Sequence, residues 1–222
     1  MFNFFKRNPI REMKKEADDL LKIVVELIAV TADGFASVSD ILVRANLKGK
    51  FDEQALFDEI CAFHVKTVIV TMNRVAGIVG GRFAPGVEEA YDRNANFLVK
   101  GVTEILADAR SRGIADTGLM RTLTTNKTIE HATNYYLGMQ LDVSDEDVLD
   151  FGKKYNPKLL SLDSDNRANS LFAYIIRVVR VAHVENLPSN EARTAVVAAL
   201  NNSLMKTVLE LESKVEKLAP KG

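Results

Sequence analysis

The sequence predicts an all-α protein, a bundle of about eight helices, from three observations. Apolar residues recur every three to four positions along nearly the whole chain, which is the spacing of one helix face. Glycines, prolines and capping residues separate these stretches. The last stretch keeps a seven-residue apolar repeat, as in a coiled coil. We expect residues 1–8 to be a flexible N-terminal segment and residues 9–219 to form a single all-helical domain.

Composition excludes several classes of protein. The chain has 222 residues, of which 47% are hydrophobic, so it can build a sizeable core. Its formal net charge is −1, without the basic excess that a nucleic-acid-binding protein uses to neutralise phosphates. The single cysteine, Cys61, excludes an internal disulfide framework and a multi-cysteine metal cluster. A reducing, cytoplasmic location is therefore the expectation.

The first half of the chain is predicted to form long helices. An apolar stripe begins after Pro9, a residue tolerated in a first turn, and we expect Gly34 to end that helix. A shorter stripe follows. Asp52 is then expected to cap a long helix over residues 53–79. Within it the β-branched residues 65–70, VKTVIV, also fit a buried strand. We favour a helix because the apolar stripe continues on both sides.

The second half carries recognisable helix ends. A stripe that begins at Val87 ends at Gly113, a glycine suited to a left-handed C-cap. Ser144 begins a capping box at the start of a short helix, and Ser189 is expected to cap the last helix. That last helix carries the seven-residue repeat.

Three short blocks occur twice, in the same order. We interpret them as a diverged internal duplication of a helical unit, over about residues 50–120 and about residues 121–200. The alternative is a chance similarity between ordinary helix ends. The pairs are VGGRFAP at 79–85 with FGKKYNP at 151–157, DRNAN at 92–96 with DNRAN at 165–169, and GIADT at 113–117 with NLPSN at 186–190.

One interpretation of the VGGRFAP block is an anion-binding loop. A phosphate loop needs backbone N–H groups that converge at a helix start, typically after a strand. Here the glycines follow a helix, and no Lys-Ser or Lys-Thr pair comes next. We therefore expect Gly80 and Gly152 to cap helix ends. Arg82 and Lys154 remain as equivalent cations near those ends.

The DRNAN and DNRAN blocks have two interpretations. The favoured one is a hydrogen-bond network that fixes helix register, because buried polar groups require partners. The other is a polar pocket at the axis of the repeat. The candidate binding residues, including the two cations, are Arg82, Asp92, Arg93, Asn96, Lys154, Asp165, Arg167 and Asn169.

Motifs for catalysis or metal binding are scarce. Cys61 and His64 share a helix face and offer two ligands, but both lie on the apolar stripe, which favours a buried cysteine and a core histidine. The chain has no HExxH, GxSxG, GxGxxG or EF-hand pattern. We predict no metal and no cofactor. Enzymatic activity is disfavoured but not excluded, since helical enzymes can assemble sites from scattered acids.

One fragment carries a family resemblance. Residues 32–40, ADGFASVSD, resemble the A-D-G-x-x-S-x-x-D/E helix junction of tellurite-resistance TerB-like domains. The resemblance implies that Asp33 and Asp40 approach a cation. It covers only this fragment, whose residues are also ordinary turn and cap residues.

These patterns favour a non-enzymatic binding or scaffold protein. Its mechanism would be helix-face recognition, in which the helices of a protein partner dock on apolar stripes. Nucleic acid is not an expected partner. The favoured contact surface, for a partner or for self-association into a homo-oligomer, is the seam of the last helix: Leu204, Val208, Leu211, Val215 and Leu218.

Two alternative functions also fit the sequence. One is a helical protein that binds a small molecule or metal in the pocket at the repeat axis. The other is a peripheral membrane protein that uses its N-terminus, with aromatic rings in the interface and cations toward anionic headgroups. No apolar stretch reaches the ~20 residues of a membrane span. The N-terminal residues concerned are Phe2, Phe4, Phe5, Lys6 and Arg7.

Overall fold

The computed structural model describes residues 9–75, 87–113, 127–137, 142–156 and 167–219. Within these ranges the chain forms seven α-helices and no strand, which confirms the all-α class. A π-helical turn, Ala132–Leu137, follows α4, and a 3₁₀ turn, Val184–Asn186, precedes α7. The helices are α1 (Pro9–Arg44), α2 (Glu53–Val75), α3 (Val87–Ser111), α4 (Lys127–His131), α5 (Asp145–Tyr155), α6 (Arg167–Val181) and α7 (Asn190–Leu218).

The two longest helices, α1 and α7, pack lengthwise and antiparallel. Ser37 and Ser203 share a hydrogen bond of 2.8 Å, and further along Lys214 Nζ lies 2.8 Å from a carboxylate oxygen of Glu26. Helix α2 packs against both, and α3 covers α1 and α2. Helices α4 and α6 lie on another side of α2, and α5 packs on α6. Helix α2 is therefore at the centre of the bundle.

The central position of α2 explains its unusual sequence. Asp52 caps it as predicted, since its Oδ1 accepts the backbone N–H groups of Gln54 at 2.9 Å and Ala55 at 3.0 Å. Every residue from Glu59 to Ile69 is buried. A helix covered on all sides needs no polar face toward solvent, so apolar residues occur on every side of it. The stretch 65–70 is accordingly helical, which confirms the preference over a strand.

Gly34 does not end α1, contrary to the prediction. The helix runs through it to Arg44. A Cβ at Gly34 would lie 3.4 Å from His64 Cε1 on α2 and 3.4 Å from Thr207 Cγ2 on α7. The glycine is therefore a packing position, where the absence of a side chain lets α1 approach two helices closely.

We expect Gly34→Leu to lower the free energy of unfolding by about 1–3 kcal/mol, because the added side chain has no room between α2 and α7. Gly34→Ala is the matched control: its single carbon meets neighbours at contact distance while helix propensity improves by about 1 kcal/mol. Urea unfolding of both variants measures the difference. Equal stability of the two would show that the helices are not in close contact here.

Of the other predicted helix ends, three are confirmed and one is wrong. Gly113 has φ of +73° and is the left-handed residue after α3, as expected. The hydroxyl groups of Ser144 and Ser189 each accept a backbone N–H at 3.1 Å and cap α5 and α7. Gly152, however, is a buried residue inside α5 and not a cap. The helix continues to Tyr155, and its C-cap is Asn156.

The duplication and the count of about eight helices are not confirmed. Helix α2, which precedes the first glycine block, has 23 residues, whereas α5, which carries the second, has 11. Residues 76–86, which include the whole first glycine block and its Gly80, lie outside the described residues. Across the part of the chain that is described, no helix is long and apolar enough to cross a bilayer.

Candidate functional site

Half of the eight candidate residues of the predicted polar pocket fall outside the part of the chain whose side chains the structure describes. Helix α3 packs on α1 and α2, whereas α5 packs on α6. Arg82 and Asp165 lie outside the described residues, as do the N-terminal Phe2, Phe4, Phe5, Lys6 and Arg7. Arg167 and Asn169 lie in the first turn of α6, and their side chains are likewise undescribed. Asp92, Arg93 and Asn96 are exposed on α3, and Lys154 is exposed on α5.

In the DRNAN block, the residue that makes a hydrogen bond to another helix is Asn94, which lies between the predicted residues. Asn94, in the middle of DRNAN, is buried, and its amide group donates a hydrogen bond to Asn73 Oδ1 on α2. The comparison of the two blocks singled out Asp92 and Asn96, because these recur in both. The signal that identifies Asn94 is its place on the apolar stripe of α3, where a polar residue needs a buried partner.

The C-terminal seam faces the chain itself. Leu204, Leu211 and Val215 are fully buried, and Val208 is 5% exposed. Leu218 is partly buried against the same core. Helix α7 packs on α1 and α2 along its length. This corrects the expectation of a contact surface: the heptad pattern is satisfied inside the bundle, so these side chains are not available to a partner.

Cys61 and His64 lie in the core. Both are 0% exposed, and burial raises the pKa of the Cys61 thiol. His64 Nδ1 lies 3.0 Å from Thr31 Oγ1, while its Nε2 has no partner among the described residues. Burial lowers the pKa of His64 to about 3. In the described ranges no three His, Cys, Asp or Glu side chains meet in a group that can hold a metal ion.

The TerB-like fragment forms no junction. Residues 32–40 lie within α1, which is continuous there. Asp33 is exposed, and Asp40 pairs with Arg44 at 2.6 Å. The two aspartates are seven residues apart, or about 10 Å along the helix. The structure therefore provides no shared cation position for them.

A buried ion pair joins α2 to α6. The carboxylate of Glu59 is almost fully buried, and Arg177 binds it with two hydrogen bonds of 2.9 Å, from Nε and from Nη2. The hydroxyl of Tyr136, on the π-helical turn, donates to the same carboxylate. His131 Nε2 lies 3.9 Å from Glu59 Oε2. Bidentate arginine–carboxylate pairs of this kind are strong and geometrically specific.

Arg177 also holds the chain that follows the π-helical turn. Its Nη1 donates to Asp142 Oδ2 at 2.7 Å, and its guanidinium lies 4.2 Å from the ring centroid of Tyr135. Tyr135 donates to Asp142 Oδ1. Burial and this bond raise the pKa of Tyr135 to about 12. Burial opposes ionisation of Asp142, but the bonds from Tyr135 and Arg177 outweigh it and lower the pKa of this carboxyl.

This cluster is a structural clamp. Both oxygens of Glu59 and both oxygens of Asp142 accept hydrogen bonds from within the protein. Burial and the nearby Glu59 charge raise the pKa of Tyr136, which keeps its phenol protonated as a donor. π-Helical turns often mark functional sites. Here the turn presents two tyrosines to the clamp, whose hydroxyl groups bond to the carboxylates of Glu59 and Asp142.

An open groove lies elsewhere, between α5, α6, the 3₁₀ turn and the start of α7. Its volume is about 440 Å³. Helix α5 contributes one face, with lining residues at spacings of three and four from Asp147 to Tyr155. The apolar lining residues are Phe151, Tyr155, Ile176, Val179, Val184 and Val197. The charged ones are Asp147, Asp150, Lys154, Arg180, Glu185 and Arg193.

The three carboxylates at the groove each have a partner. Their nearest basic nitrogens belong to Arg180 for Asp147 at 3.4 Å, to Lys153 for Asp150 at 3.7 Å, and to His183 for Glu185 at 3.1 Å.

Two cations at the groove have no carboxylate partner among the described residues. Lys154 Nζ lies 5.1 Å from the ring centroid of Tyr155. The acceptors of Arg193 in the described part of the chain are neutral: the carbonyl of Leu187 at 2.8 Å and Asn190 Oδ1 at 3.4 Å. Lys154 is thus the one predicted candidate with a described side chain that lines the groove. Sequence reasoning missed Arg193, because only the fold brings α7 beside α5.

Comparisons with protein-family models, with curated proteins and with solved structures give no match. The TerB-like resemblance therefore has no independent support, and the function is argued from the groove.

Proposed function

We propose that this protein is a non-enzymatic helical binding protein of the cytoplasm, and that its groove receives the apolar face of a helix from a protein partner. The observation that carries the proposal is an apolar trough, open between packed helices and bordered by charged side chains. Helix-in-groove recognition uses such surfaces, with apolar anchors at i, i+3 or i+4, and i+7. An added helix would pack on its neighbours at the usual interaxial distance of about 8–10 Å.

The dimensions of the groove suit a short contact. The lining face of α5 runs over nine residues from Asp147 to Tyr155, whose eight steps cover about 12 Å at the helical rise of about 1.5 Å per residue. Two turns of a partner helix cover this length. Such a helix presents two or three apolar anchors, which the groove can accept between α5 and α7.

A second candidate is a small-molecule site at the same place. The volume of about 440 Å³ falls within the range of about 300–1,000 Å³ that small-molecule pockets occupy. The pocket at the repeat axis, which the sequence suggested for such a ligand, involves other residues.

The test is a pair of matched variants. Val179→Asp places a carboxylate in the apolar floor, whereas Leu149→Asp places one on the outer side of α5, where Leu149 is 45% exposed. The probe is a synthetic amphipathic helix of about 14 residues, with leucines spaced i, i+3, i+4 and i+7 and glutamines elsewhere. We expect saturable binding to the wild type and to Leu149→Asp, and binding at least about tenfold weaker to Val179→Asp.

Binding is measured by NMR titration, with amide shifts expected at residues 151, 155, 179 and 197. Thermal unfolding monitored by circular dichroism confirms that each variant is folded, and Val179→Asn serves as a milder change at the same position. Equal binding to all variants, or absence of binding to the wild type by peptides with this leucine spacing whatever their flanking residues, would refute the proposal.

A further inference from the structure

We infer that the helix received by the groove is acidic, with carboxylates beside its apolar stripe that contact Lys154 and Arg193. This inference rests on the proposed function, because it names the chemistry of the partner at the same site. Its starting point is the distribution of charge at the groove. Each carboxylate there lies within 4 Å of a basic nitrogen of this chain, whereas the two cations lack a carboxylate among the described residues.

The two groove cations without a carboxylate partner among the described residues offer hydrogen-bond donors to an incoming group. Lysine has three N–H donors and no acceptor, and arginine has five. Two of the five N–H donors of Arg193 reach neutral acceptors, one on Nε and one on Nη1, so three donors, two of them on Nη2, have no acceptor among the described residues. Within the described ranges, the recorded neighbour of Lys154 Nζ is the face of the Tyr155 ring. An incoming group that completes these sites must accept hydrogen bonds, and a carboxylate does so with charge assistance.

The position of Arg193 also favours an incoming carboxylate. It is the fourth residue of α7, a helix of 29 residues whose N-terminus carries a partial positive charge. The apolar floor requires the occupant to present an apolar face as well, which a free inorganic anion lacks. An acidic amphipathic helix meets both requirements. We therefore commit to this occupant, and a small amphiphilic anion becomes an outcome of the test.

The experiment uses three peptides with the same leucine spacing, whose flanking positions are glutamate, glutamine or lysine. We expect affinity for the full chain in the order glutamate, glutamine, lysine, with steps of about three- to tenfold. Added salt should weaken the glutamate peptide most. Sodium dodecanoate is the fourth probe and represents a small amphiphilic anion.

The chain offers an adjacent control. Lys154→Glu should weaken the glutamate peptide about three- to tenfold, and Arg193→Glu should act in the same direction. Lys153→Glu makes the same change one residue earlier, on a cation that pairs with Asp150 and does not line the groove. Its effect should stay within about twofold. Thermal unfolding shows whether each variant is folded. If Arg193→Glu does not fold, Lys154→Glu still tests the inference.

The outcomes separate the two proposals. Equal affinity for the three peptides, with binding lost in Val179→Asp, would overturn the acidic partner and leave the helix-binding function intact. Failure of all three peptides would overturn both. If dodecanoate binds in the groove and none of the peptides does, the occupant is a small amphiphilic anion, and the acidic-helix inference is overturned. Equal effects of Lys153→Glu and Lys154→Glu would show a nonspecific charge effect and overturn the inference.

Discussion

Arg177→Ala is expected to lower the free energy of unfolding by about 3–5 kcal/mol, because it leaves the buried charge of Glu59 without its partner. The change also removes the bond to Asp142 and the contact with the Tyr135 ring. It therefore releases the π-helical turn and α6 from α2 together. Urea denaturation at pH 7, followed by far-UV circular dichroism, measures the loss.

Two controls isolate the buried pair. Arg180→Ala removes a cation one turn further along α6, whose partner Asp147 lies 3.4 Å away and whose side chain is half exposed. Exposed pairs contribute about 0–1 kcal/mol, so little change is expected. The double variant Glu59→Leu with Arg177→Leu should recover much of the loss, because it removes both charges. If Arg177→Ala costs no more than Arg180→Ala, the clamp does not stabilise the fold.

Acidification is expected to destabilise the protein through His64. Its pKa in the folded state is about 3, below its ordinary value of 6.5, because the ring is fully buried. The folded state therefore holds His64 neutral, while the unfolded state binds a proton below pH 6.5. The contribution of His64 to stability is complete above pH 6.5 and decreases as the pH falls toward 3. Over that interval the loss is on the order of 4 kcal/mol.

His64→Asn separates this effect from the titration of carboxyl groups. The asparagine side chain can replace the bond between Nδ1 and Thr31 and does not titrate. We expect the variant to be less stable than the wild type at pH 7, but to lose less stability between pH 6.5 and pH 4. Urea unfolding of both proteins across this range gives the difference curve. Parallel curves would show that the buried imidazole contributes nothing to acid sensitivity.

Only part of the candidate site was within reach of sequence reasoning. Lys154 emerged from a comparison of two glycine blocks, and it does line the groove. Arg193 and the apolar floor come from α6 and α7, whose approach to α5 is set by long-range packing. The clamp was missed for the same reason, since Glu59 and Arg177 are 118 positions apart. Spacing within one helix carries no information about such a pair.

The sequence by itself determined the all-α class, and it located the caps at Asp52, Ser144 and Ser189, because apolar periodicity and cap hydrogen bonds act within a few residues of the chain. The tertiary structure decided which surface each helix face contacts. It enclosed the heptad seam of α7 against α1 and α2, and it made Gly34 a packing contact. Periodicity predicts that a face is apolar, whereas the partner of that face depends on contacts between distant segments.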